Sequence, residues 1–279
     1  LANRPTATPN RGLCPTIREA GELGDFPSSR DAAINAMLTF LNEGGEPERL
    51  QQRIISEWEA FGEAGFCRDD VDLTGEGEGE LIIGYIAPGD VGTLLILGCE
   101  VGRYVLRYEA IADGNTPPEL VWVDDLNNSP QDEIVLASRI CLDAEFCEFQ
   151  TQILTWDAAS GRFVSLLDET ILTLEMPSVR DIDNDQVNEI VFALDSNGNS
   201  ATGPLRTGVN VYDWNGSNYR LSYFELDPPR YHIQVVQEGD KFFSRLEMFD
   251  AVSLYELALD EDENFGYWFN DGATTVDSY

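Results

Sequence analysis

Positive charge is scarce in this chain. Of 279 residues, 17 are lysine or arginine and 51 are aspartate or glutamate, giving a formal net charge of −34. That balance argues against nucleic acid as a partner, because such binding rests on lysine and arginine neutralising phosphate. Anionic membrane surfaces are disfavoured for the same reason. Cations are the natural partners, and bound metal would relieve self-repulsion among the carboxylates. Histidine is scarcer still, with His232 alone, and it sits in the strand-like run 231–236, where a structural role is expected. No G-x-S-x-G, no P-loop and no G-x-G-x-x-G after a strand occurs. Gly75, Gly77 and Gly79 form a G-x-G-x-G run, but the glutamates between them would repel phosphate. Carboxylates are so abundant that a glycosidase-like pair could be drawn almost anywhere, so they do not point to catalysis. The chain is read as non-enzymatic. No apolar run approaches the ~20 residues that a membrane-spanning helix needs.

Cysteine is limited to five residues with no C-x-x-C pair, which argues against a thiolate metal site. Cys141 and Cys147 flank what looks like a hairpin tip and are expected to pair. A second bridge is expected between Cys14 and Cys67, leaving Cys99 free. The chain opens on Leu1, and Leu1–Asn10 is Pro/Thr-rich without periodicity, like an extended stalk. Together these features lead to the expectation of a processed, exported protein, extracellular or at the cell surface.

Four segments follow from the patterning: an extended N-terminal segment (1–27), a helical hairpin (28–64), a strand-rich repeat region (66–240) and a helical C-terminal segment (241–279). Ser28 and Ser29 can cap a helix whose apolar residues Ile34, Met37, Leu38 and Leu41 follow helical spacing. Gly44-Gly45 ends it, and Pro47 opens a second helix with Leu50, Ile54, Trp58 and Phe61 on one face. Two such helices joined by a short connection should pack over an apolar surface. Near the other end, 249–260 has the pattern of a helix resembling the second helix of a tetratricopeptide repeat.

Between these segments lies an internal repeat. Its strongest copy is Asp181-Ile182-Asp183-Asn184-Asp185-Gln186-Val187-Asn188-Glu189, running straight into Ile190-Val191-Phe192. Weaker copies start at Asp72 and Asp125, at separations of 53 and 56 residues, each with a glutamate eight residues on and a β-type run after it. Downstream, 152–164 and 210–221 share a strand, a Trp, a Gly turn, an aromatic and a second strand, with a degenerate version at 94–105. Each unit of ~55 residues therefore reads as a four-stranded antiparallel blade, over about 66–112, 119–168 and 175–226.

The loops suit a hard cation. Ca²⁺ takes six to eight oxygens at about 2.3–2.6 Å, and alternating oxygen-bearing side chains plus one carbonyl can supply most of them. The third loop would offer Asp181, Asp183, Asp185 and Glu189 with the Val187 carbonyl. The second would offer Asp125, Asn127, Ser129 and Glu133 with the Gln131 carbonyl. The first would offer Asp72, Thr74, Glu76 and Glu80. An EF-hand is rejected, because the glutamate stands at position 9 rather than 12 and β-branched strands follow. On the D-x-D-x-D-x-x-x-E loop followed by a strand, the region 66–226 resembles the FG-GAP and VCBS repeats of integrin-α-like β-propellers. That resemblance implies Ca²⁺ held between two strands of each blade.

The expected fold is thus mainly β: three four-stranded propeller-like blades, incomplete or open, flanked by an N-terminal helical hairpin and a C-terminal helix. The expected function is non-catalytic calcium binding in adhesion, binding or extracellular assembly, with a protein or glycan partner or self-association. Two further readings are a polysaccharide-acting hydrolase or lyase on the same scaffold, and a subunit of an extracellular filament.

Overall fold

The structure, a computed structural model, describes residues 22–77, 79–142, 147–194, 203–260, 265–270 and 275–278. Most of the expected extended segment, including Cys14, lies outside the described residues.

Two helices come first, α1 (Arg30–Asn42) and α2 (Pro47–Ser56). Ser29 caps α1, its Oγ accepting the Ala32 N–H at 3.3 Å. Pro47 occupies the first turn of α2, where its missing N–H costs nothing. Helix α2 stops at Ser56, short of Trp58 and Phe61. Both are nevertheless buried, with Trp58 Nε1 donating to the Gly24 carbonyl at 3.0 Å.

Strands follow in antiparallel meanders. The first sheet is β1 (Phe66–Val71), β2 (Glu80–Ala87), β3 (Val91–Glu100) and β4 (Arg103–Ala112), hydrogen-bonded in chain order. The second is β5 (Glu119–Asp124), β6 (Glu133–Cys141), β7 (Cys147–Asp157) and β8 (Arg162–Ser165), with β9 (Ile171–Thr173) also pairing with β7. The third is β10 (Ser178–Arg180), β11 (Glu189–Leu194), β12 (Gly208–Trp214) and β13 (Tyr219–Leu226). The described chain is therefore mainly β, with three antiparallel sheets of four or five strands and a few helices.

Strands β2 and β3 are apolar on both faces, and the period of two explains why. Leu81, Ile83, Tyr85, Leu95 and Leu97 join Met37, Leu41, Leu50 and Ile54 of the helices in one core. Their neighbours Ile82, Leu94 and Ile96 turn the other way and join Ile134, Leu136, Leu154 and Trp156 of the second sheet. Each such Leu or Ile contributes ~1.5–3 kcal/mol by leaving water. The first sheet is thus held between the helical hairpin and the second sheet. Arg107 bridges the same two sheets, its guanidinium 4.7 Å above the Trp156 ring.

By contact the chain divides into two compact units, Leu1–Val191 with Tyr212–Arg220, and Phe192–Val211 with Leu221–Tyr279. The second contains α3 (His232–Ser244), α4 (Met248–Ala258) and the hairpin β14 (Tyr267–Asn270) with β15 (Thr275–Ser278). The strand expected over 231–236 is the start of α3, so the helical segment begins at His232 rather than 241, and it gives way to strands at Tyr267. The Gln234 side chain reverses the local preference: its Oε1 accepts the N–H groups of Arg230 at 2.7 Å and Tyr231 at 3.2 Å, satisfying donors at the helix start. Close packing adds to this, since a Cβ at Gly239 would lie 2.6 Å from the Tyr255 ring of α4. His232 opens α3, with Nδ1 2.7 Å from the Ala258 carbonyl and the ring stacked on Tyr267.

Cys141 and Cys147 form the expected disulfide, directly opposite one another in the β6–β7 register. The second expected bridge is wrong. Cys99 is disulfide-bonded, whereas Cys67 is a free thiol that burial pushes up to about 12.

Candidate metal-binding loops

All three acidic loops occupy the same place, joining the first strand of a sheet to the second: β1 to β2, β5 to β6 and β10 to β11. Their backbones share a plan. The fourth residue takes a left-handed conformation in each: Gly75 at φ 71°, Asn128 at 59° and Asn184 at 64°. Glycine and asparagine are the residues that tolerate this region best. The sixth residue repeats it in two loops, Gly77 at 87° and Gln186 at 75°. In the second loop Pro130 cannot follow, because its ring fixes φ negative. There the turn is closed by Ser129, whose Oγ accepts the Gln131 N–H at 3.2 Å.

The ninth residue is the anchor. Glu80, Glu133 and Glu189 are only 3%, 1% and 4% exposed. In each, Oε2 accepts the N–H of the loop's second residue: Leu73 at 2.7 Å, Leu126 at 2.9 Å and Ile182 at 2.6 Å. Burial pushes the Glu80 carboxyl up to about 7, against the pull of hydrogen bonds from Thr74 and Leu73. Burial likewise raises Glu133 and Glu189 above the ordinary carboxylate range. For Glu189 the charges of Asp183, Asp213 and Asp185 act in the same direction.

The first aspartate closes each turn by accepting N–H groups from across it. Asp72 Oδ2 takes Gly77 at 2.8 Å, Asp125 Oδ1 takes Ser129 at 3.0 Å, and Asp181 takes Asp185 at 3.2 Å and Gln186 at 3.1 Å.

The loops differ in what they gather. In the third, Asp181, Asp183 and Asp185 each place a carboxylate oxygen within 4.8 Å of the others. In the second, Ser129 Oγ lies 3.2 Å from Glu133 Oε1, and Asn127 is 9% exposed with its Oδ1 lacking any hydrogen-bond partner. In the first, Thr74 Oγ1 donates to Glu80 Oε1 at 2.9 Å, and Asp72 Oδ1 is buried without a partner. Glu76 turns elsewhere: its carboxylate lies 3.6 Å from the Arg107 guanidinium, and among the described residues no carboxylate cluster joins Asp72, Glu76 and Glu80. An acceptor buried without a donor costs ~1–3 kcal/mol. A cation would remove that cost for Asp72 and Asn127, but among the described residues only the third loop gathers three carboxylates.

Some contributors carry no sequence signal. Thr155 on β7 reaches Glu133 Oε1 at 3.4 Å from the neighbouring strand. Tyr219 on β13 donates its hydroxyl to the Leu126 carbonyl at 3.2 Å. Neither belongs to the loop motif, and only the folded sheets bring them there.

No protein-family model matches the chain, and no curated protein matches it.

Proposed function

We propose that this chain is a non-catalytic calcium-binding scaffold of the FG-GAP/VCBS kind, whose sheets act as propeller-like blades and whose ions fix the connection between the first two strands of each. The observation that carries the reading is the threefold recurrence of one loop geometry, with a buried ninth glutamate gripping the second residue's amide each time. A repeated ion site suits scaffolding better than a single reaction. The ion would neutralise the clustered carboxylates of a chain whose net charge is −34. Its setting would be extracellular or at the cell surface, in adhesion, binding or assembly, and the Cys141–Cys147 disulfide accords with an oxidising compartment.

The test is the melting temperature of chelator-stripped protein as Ca²⁺ is added. Calcium at about a hundred times its dissociation constant stabilises by ~2.7 kcal/mol per site, so a rise of several degrees is expected. Asp183→Ala should reduce the rise more than Thr74→Ala does. A melting temperature indifferent to Ca²⁺ would overturn the proposal.

A further inference from the structure

The second and third loops meet at one carbonyl. Leu126 lies between the proposed ligands Asp125 and Asn127, and its own N–H is held by Glu133 Oε2 at 2.9 Å. Its carbonyl accepts the Asn188 N–H of the third loop at 2.8 Å and the Tyr219 hydroxyl at 3.2 Å. The Asn188 N–H belongs to the same peptide unit as the Val187 carbonyl, the backbone ligand proposed for the third loop. A trans peptide is planar, with N–H and C=O pointing in opposite directions. Whatever holds the Asn188 N–H therefore sets the direction of the Val187 carbonyl.

Tyr219 stiffens this joint. It is 1% exposed. Its backbone N–H donates to the Leu166 carbonyl at 2.8 Å, and its ring packs at 5.4 Å against Trp214. The second loop also holds the buried Asn127 Oδ1, an oxygen without a protein donor beside this same carbonyl in sequence.

We propose that the second and third loops bind calcium cooperatively, coupled through the Leu126 carbonyl and clamped by Tyr219. This rests on the calcium reading above. An ion drawn in by Asp125, Asn127 and Glu133 fixes the Leu126 peptide on both sides. The fixed carbonyl holds the Asn188 N–H, which presents the Val187 carbonyl to the third loop's ion before that ion arrives. By linkage, the third loop's ion must favour the second loop by the same factor.

The experiment is a Ca²⁺ titration of the full chain, stripped of metal and labelled with ¹⁵N, following the Ser129 amide for the second loop and the Gln186 amide for the third. Asn127→Ala should weaken the curve at Gln186, and Asp183→Ala the curve at Ser129, by equal factors of about fivefold or more. Tyr219→Phe removes no proposed ligand and keeps the ring. It should leave both loops binding while bringing that factor towards one. Curves that ignore the state of the other loop would overturn the coupling alone. So would a factor that Tyr219→Phe leaves unchanged, since that would be general electrostatics. Amides that do not respond to Ca²⁺ at all would overturn the calcium reading itself.

Discussion

Glu80 is almost wholly withdrawn from water, yet it must carry charge if it is to serve a cation. Its carboxyl is pushed from 4.5 up to about 7, chiefly by burial. A carboxyl raised by folding stabilises the fold in its protonated form. That contribution is fully present below about 4.5 and lost as pH rises through about 7. For Glu80 it is on the order of 3 kcal/mol. Calcium reverses the preference, because coordination needs the carboxylate. In ion-free protein, stability should therefore fall between about pH 5 and pH 8 more steeply for the wild type than for Glu80→Gln. The remaining acidic surface is common to both proteins, so the difference isolates this residue. Denaturant midpoints across that range measure it, and equal slopes would contradict the assignment.

At the scale of elements, the β3–β4 hairpin carries an identifiable defect. Val101 and Gly102 turn the chain with φ of 49° and 75°, the two positive values of a tight hairpin turn. Gly102 adopts this freely, but a β-branched residue does not. Val101 is 96% exposed, so its side chain gives back little by packing. Val101→Asn creates the Asn-Gly pair that such turns favour and should raise stability by ~1 kcal/mol; a thermal melt showing loss instead would contradict the assignment of strain to Val101. The three acidic loops were legible because their geometry depends on residues within nine positions of one another. The Asp-to-Glu spacing, the turn formers and the following strand all lie on one stretch of chain. Helix α3 was not legible in the same way. Ile233, Val235 and Val236 favour strand by local preference, and the helix depends on Gln234 reaching back to two amides and on Tyr255 packing over Gly239. The Pro228-Pro229 pair followed by a glutamine at the third helical position was the available signal. The Glu76–Arg107 pairing was similarly hidden, since Arg107 comes from β4 and is held over a tryptophan of the second sheet.

For the whole molecule, the excess of acid is the dominant fact. A net charge of −34 opposes compactness, and the mainly β core must overcome it. The two-faced burial of β2 and β3 accounts for much of how it does so. Cations held by three loops at corresponding points in three sheets would offset part of that repulsion. The first and second loops also adjoin, with a Cβ at Gly75 falling 4.0 Å from Gln131. The central claim is that these loops hold calcium, and counting the ions tests it most directly. Equilibrium dialysis of the chelator-stripped chain against Ca²⁺ should give one bound ion per intact loop at saturation, with one lost in Asp183→Ala. Binding no greater than that of an equally acidic protein without such loops, unchanged by Asp183→Ala, would contradict the account.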